Sequence, residues 1–382
     1  MTMWGRISGR VCRVATTKSW RPRDVTGSSP LQIITKCNHN NTEQKFPNLV
    51  LKNRRNDYKK HNSGNSTFGK ITFPFLVLIA ASINHEETDL EETKLVGDGN
   101  RDIALLIMKG RKMLKEKCSF EKIEEVYIEA LHLALTRKDR NTIAYVQDQL
   151  ANLALRFNKL EKAEELFKHV IRNLLDGGIK ENDRSIIEIS LKLATIYAST
   201  NKHDLAISGY NWTIESCRSN LEELKKTKLK TVEQKEDYDN QFALLGMTLD
   251  SYGRYHFAMG RSKEALEVTK EAKDISIKLF GENDIRTLVL YNDIGSILSQ
   301  MGNIEEATEI LEKVVSIANK TKNIDHGDLA VFWVNLCGIF NKQGEKKKAI
   351  DALQKARKEA NSSNDRTLQK QIDIYINELG MQ

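Results

Sequence analysis

Proline is almost missing from this chain, with four in 382 residues, and aromatic side chains make up only 7 %. With Leu, Ala, Glu and Lys abundant, that balance favours helix over sheet. The five cysteines (Cys12, Cys37, Cys118, Cys217, Cys337) are scattered and never paired as Cys-x-x-Cys. That spacing disfavours a disulfide framework or a zinc site. Phrases that carry chemistry are missing too: no His-Glu-x-x-His, no complete phosphate-cradling Gly-x-x-x-x-Gly-Lys-Ser/Thr, since Ile71 follows the partial match at Gly64–Lys70, and no Gly-x-Ser-x-Gly. Nor is there an apolar run of the roughly 20 residues that cross a bilayer squarely.

Charge is plentiful but uneven. Residues 1–70 hold 14 Lys and Arg against Asp24, Glu43 and Asp57, so a net charge of +7 for the whole leaves residues 71–382 mildly acidic. Nucleic-acid binding needs its basic stripe on the folded body, so no nucleic-acid partner is expected. The basic start, with Arg6, Arg10, Arg13, Lys18, Arg21 and Arg23 all before the first acid, Asp24, has the composition of a mitochondrial import leader. The alternative is a plain basic tail; in both readings residues 1–67 are expected to be disordered. Ile71–Ile83 is the longest apolar stretch, extended to Phe68–Asn84 by its flanks, and Glu86, Glu87, Asp89, Glu91 and Glu92 follow it. Residues 68–84 are expected to be a short membrane anchor or sorting segment, the alternative being a buried helix, and residues 85–100 an acidic linker.

From residue 101 a repeat takes over. Ala163, Ala206, Ala265, Ala307 and Ala349 open similar phrases at spacings of 43, 59, 42 and 42. Five residues before each stands Asn158, Asn201, Gly260, Gly302 or Gly344, residue types that tolerate the left-handed conformation of a helix stop. Twelve before stands Ala151, Ala194, Gly253, Gly295 or Cys337, small enough for two helices to approach closely. Thirteen before stands Leu150, Leu193, Tyr252, Ile294 or Leu336, and four after stands Phe167, Tyr210, Thr269, Leu311 or Leu353. A weaker upstream copy uses Ile103, Leu106, Ile107 and Leu114, then Ile123, Tyr127 and Ala130. Helical hairpins of this kind bury their faces only by stacking on one another. The expectation is an all-α superhelix, an α-α solenoid of about six hairpins over 101–382. The 59-residue step places an insertion near 219–240, where Leu221, Leu224, Leu229 and Val232 favour projecting helix beside a lysine cluster at Lys225, Lys226, Lys228 and Lys230. Arg366–Leu379 is expected to cap the last face.

These columns resemble the tetratricopeptide repeat, and Gln300–Ala318 (QMGNIEEATEILEKVVSIA) is similar to the family's typical phrase. The 42-residue period and Gly281-Glu282-Asn283-Asp284 resemble the longer variety found in kinesin light chains. In that family the first helix of each hairpin lines a concave groove. By that resemblance the partner-binding groove is expected at Asp148, Asn152, Arg156, Thr195, Asp250, Arg254, Asn292, Ser296 and Gln300, each with the alternative of a plain solvated position. Met108, Asp148 and Leu191 stand where chaperone-binding members carry the ligands of a carboxylate clamp, so that function is not implied. Acid pairs such as Glu164-Glu165 and Glu305-Glu306 sit at helix starts, where the helix dipole favours them. No catalysis, cofactor or metal is expected.

Leader, short apolar segment and terminal array together, with the phrases from Lys162 (KAEELFKHVIRNLL) and Leu249 (LDSYGRYHFAMGRSKEAL), resemble mitochondrial members of the family associated with respiratory complex III. The resemblance implies an inner-membrane protein, held through residues 68–84, that binds complex III subunits, including the Rieske protein or its fragments. Support of assembly or maintenance, with clearance of those fragments, is the implied role. The competing readings are a soluble cytosolic adaptor of the kinesin-light-chain type and an enzyme on a repeat scaffold. Residues 1–90 fused to a fluorescent protein are expected to collect in mitochondria; a diffuse cytosolic signal contradicts the import reading.

Overall fold

The structure is a computed structural model that describes residues 100–226, 231–321, 324–363 and 366–378. The leader at 1–67, the apolar segment at 68–84, nearly all of the acidic linker, Lys228, Leu229, Lys230 and Leu379 lie outside the described residues. Past Pro74 the chain has no proline, so nothing in the body interrupts a backbone hydrogen-bond ladder from within.

Thirteen helices follow one another among the described residues. They are α1 (Arg101–Lys115), α2 (Phe120–Arg137), α3 (Arg140–Arg156), α4 (Leu160–Asp176), α5 (Arg184–Ser199), α6 (His203–Lys226) and α7 (Val232–Ala258). Then come α8 (Ser262–Phe280), α9 (Ile285–Met301), α10 (Ile304–Ala318), α11 (His326–Lys342), α12 (Lys346–Ser362) and α13 (Arg366–Glu378). Odd and even members pack as six hairpins, and each hairpin packs on the next. First helices also meet directly, α5 with α7 and α9 with α11. The all-α array read from the repeat is the fold observed. Helix α13 packs on α12 and buries Leu368 and Ile372, capping the last apolar face.

Punctuation in the sequence produces this regularity. Asn158, Asn201, Gly260, Gly302 and Gly344 all have positive φ, from 57° to 90°. At each, the next amide reaches back to a carbonyl five residues earlier: Lys159 to Ala154, Lys202 to Tyr197, Arg261 to His256, Asn303 to Leu298 and Glu345 to Phe340. That bond closes the first helix and sets the entry of the second. Helix starts are marked as well. Asp139, Asp183, Asp284 and Asp325 cap α3, α5, α9 and α11, each accepting from a backbone N–H of the first turn. Helix α7 starts instead on a capping box of Thr231 and Gln234.

Inside each hairpin the small column meets the opposite helix. A Cβ on Gly295 would lie 2.8 Å from Leu311 Cδ2, and one on Gly209 would lie 2.8 Å from Ala194 Cβ. The alanines that open the repeat phrases have no exposed surface at all. On either side of 227–230, the longer step between the third and fourth hairpins is taken up by two long helices, α6 of 24 residues and α7 of 27. Their extensions are tied back by Arg218–Glu271 at 2.8 Å and Arg184–Asp237 at 3.5 Å, with Tyr238 stacked on Phe242.

Overfilling this contact is expected to cost stability. Ala307→Trp should lower the unfolding free energy by about 1–3 kcal/mol or more, read from a urea midpoint. An unchanged midpoint contradicts the packing.

Candidate protein-binding face

No group of three His, Cys, Asp or Glu suited to a metal occurs among the described residues. The buried thiols Cys217 and Cys337 are both pushed up to about 12 by burial, far from a reactive thiolate. No helix among the described residues is long and apolar enough to cross a membrane. The distinctive feature is instead a line of polar side chains along the first helices.

It begins at α1, where Arg111 donates to Tyr145 Oη of α3 at 2.9 Å. Next, Lys192 of α5 lies 3.0 Å from Glu188 and 3.9 Å from Asp148 of α3. Burial pulls the Lys192 ammonium toward neutrality, but Glu188 and Asp148 outweigh it and hold its pKa above the ordinary lysine value. Between α7 and α9, Arg254 Nη2 lies 2.6 Å from Asp293 Oδ2 while its Nε donates to Asp250 at 2.9 Å. Between α9 and α11, Asn335 donates to Asn292 Oδ1 at 2.9 Å. One polar rung thus joins most pairs of neighbouring first helices. A recess of about 290 Å³, counting its solvent-open part, adjoins the rung at Arg254 and is lined by Gly253, Asp293, Ser296 and Ile297 among others.

Four of the nine residues expected to line a groove are these rungs: Asp148, Asp250, Arg254 and Asn292. Asn152 braces one of them, donating to Asp148 at 2.8 Å. Thr195 lies elsewhere. It has no exposed surface, and its hydroxyl contacts Leu191 O at 3.0 Å and Tyr210 Oη at 3.2 Å inside the third hairpin. Asn292 likewise has no exposed surface, and Asp250 and Arg254 have less than a tenth. Asp250, Arg254 and Asn292 are thus packed between helices and are not plain solvated positions. Their position in mid-helix beside an apolar column is equally suited to an interhelix bond. Arg156 and Gln300 are exposed, and Ser296 is half-buried with its hydroxyl turned to Asn292 O.

Other rung members escaped sequence reasoning: Arg111, Tyr145, Lys192, Asp293 and Asn335. The Glu188/Lys192 pair at i, i+4 was a legible sign of a helical ion pair. Asn292 and Asn335, 43 residues apart, repeat at the hairpin period.

Comparison with known proteins bears on this architecture directly. The family model of the tetratricopeptide repeat matches residues 244–320 and 286–362. Human mitochondrial tetratricopeptide repeat protein 19 is 32 % identical over 273 residues, covering 72 % of this chain and 71 % of that one. The chain belongs to this family. The mouse protein is 33 % identical, with 72 % and 73 % covered, and the Drosophila melanogaster homolog is 24 % identical over 294 residues, with 77 % and 74 % covered. Among solved structures, the apo form of RapI superposes with a TM-score of 0.52 at 14 % identity, covering 77 % of this chain and 72 % of that one. NprR in complex with its cognate peptide NprX gives 0.50 at 13 % identity, with 77 % of each chain covered. At that identity the likeness is one of fold. The family and the fold make this chain a tetratricopeptide repeat scaffold of the protein-binding kind.

Removing a rung member should be felt as lost stability. Lys192→Ala leaves Asp148 and Glu188 without their ammonium and is expected to destabilise by about 1–3 kcal/mol. Lys192→Met, which keeps the packing volume, separates lost charge from lost contact. Full stability of both variants in urea denaturation contradicts the role given to the rung.

Proposed function

We propose that this protein is a non-catalytic scaffold of the mitochondrial inner membrane that binds respiratory complex III and supports its assembly or maintenance, including clearance of Rieske-subunit fragments. The observation that carries the reading is membership of the mitochondrial tetratricopeptide repeat protein 19 family over about 72 % of the chain. The import-like composition of residues 1–67 and the short apolar segment at 68–84 agree with it.

A stacked array suits the task physically. It offers a long, continuous surface to an extended partner, and its rungs hold neighbouring first helices at fixed offsets, so the surface is pre-shaped before binding. Partner contact falls to the exposed and half-exposed side chains of the first helices. Arg156 and Gln300 are foremost, followed by Asn152 and Ser296. The buried rung members Asp250, Arg254 and Asn292, with the half-buried Asp148, act by holding the surface, and Thr195 acts by packing its hairpin.

A tagged full-length chain recovered from detergent-solubilised mitochondria is expected to bring down complex III core subunits and Rieske fragments. Recovery of the tagged chain with none of them overturns the partner assignment. Protease protection of the same C-terminal tag in mitochondria and in mitoplasts then reads the side of the membrane on which the array lies.

A further inference from the structure

The apolar core of the array is not continuous. One cluster of buried side chains runs from Ile103 to Tyr255 and on to Ala272, Ile275 and Leu290. A second runs from Leu288 and Val289 to Ile372. Leu290 of α9 belongs to the first cluster, and Leu288 and Val289 of α9 to the second. Where the fourth hairpin (α7 and α8) meets the fifth (α9 and α10), Phe257, Ala265 and Ile297 form a small third cluster with Leu266 and Met301 against it. Beside them the joint carries charge: Asp250, Arg254 and Asp293 are 6 %, 8 % and 6 % exposed.

The arithmetic of this cluster is unbalanced. Two carboxylates face one guanidinium, so with both ionised the three side chains carry one net negative charge at a site nearly closed to water. A low-dielectric site opposes that surplus, and a proton removes it. Burial, with Asp250 adding to it and Arg254 opposing it, raises Asp293 to about 6. The groups around Asp293 are Asp250 and Arg254 on α7, Asn292 on α9 itself and Thr269 of α8 across the recess. On the side of α11, α9 is met by the neutral Asn335 amide.

We propose that the Asp250–Arg254–Asp293 cluster makes the joint between the fourth and fifth hairpins acid-tightened, so that the two halves of the array dock more firmly as the acid pair takes up a proton. The direction follows from linkage. A carboxyl raised in the folded state binds its proton there while the unfolded chain does not. Its stabilising contribution is complete below the unfolded value near 4 and is lost as pH rises through the folded value near 6. In neutral solution the joint therefore holds a charge it would be more stable without.

The test is urea unfolding of the full-length chain from pH 4 to 7.5 beside Asp293→Asn, which fixes the neutral state, and Asp250→Asn, which removes the rival carboxylate. Taking differences between parent and variant cancels all other titrating groups. The parent-to-Asp293→Asn ratio of folding constants is expected to fall with rising pH between about 4 and 6, approaching about tenfold per pH unit for one linked proton. Asp293→Asn should be at least as stable as the parent at pH 7.5, and its α9 amides better protected from hydrogen exchange. Asp250→Asn should flatten the same dependence, and it serves alone where Asp293→Asn does not fold. A parent-to-variant ratio constant across this range, or α9 protection unaltered in either variant, overturns the proposal.

Discussion

Two antiparallel helices touching nearly backbone to backbone are what every other part of this molecule rests on. The contact is made where a small residue of the first helix faces the second: a methyl group on Gly295 would lie 2.8 Å from Leu311 Cδ2, so the leucine would have to shift. With the helices this close, the large columns at Leu150, Leu193, Ile294 and Leu336 fill the space between hairpins and are buried. A hairpin whose helices stood further apart would leave those residues half-wet, and stacking would no longer exclude water. The left-handed turns at Asn158, Asn201, Gly260, Gly302 and Gly344 serve the same contact by returning the chain at the required distance.

On that frame the polar rungs perform a different task. Burying charge is costly, and an apolar replacement often serves stability as well or better. What Lys192, Arg254 and Asn335 supply is direction. Lys192 and Arg254 form ion pairs, and Asn335 a hydrogen bond, with a partner on the neighbouring first helix, which favours one offset, whereas Leu against Leu tolerates sliding. A surface that must match an extended partner along several hairpins needs offsets held in this way. Of the two charged rungs, each with two carboxylates to one cation, the one at Arg254 has the more deeply buried carboxylates.

The fold was legible because its determinants are local. Gly or Asn at a helix stop and an alanine five residues later act within one hairpin, and their recurrence at 42 or 43 residues exposes the period. The aspartates at 139, 183, 284 and 325 form a further column of the same kind, 23 or 24 residues before the repeat alanines, and only the structure drew attention to it. The binding face was legible only in part. Asp148, Asp250, Arg254 and Asn292 were picked out as polar residues at mid-helix, but a rung and a solvated groove position look alike in one dimension. Lys192 and Asp293 drew no notice because nothing local distinguishes them from surface charges.

By itself, then, the sequence determined that the chain folds into hairpins, how many there are, where each helix stops, and to which family the array belongs. Those properties depend on backbone preference and on spacing, which are written residue by residue. Tertiary structure alone decided which polar side chains are spent between helices and which stay at the surface. That choice depends on groups some 40 residues apart arriving at the same place, as Lys192 does at Asp148, Asp293 at Arg254 and Asn335 at Asn292. It is settled by the desolvation of each side chain against the bond it finds there.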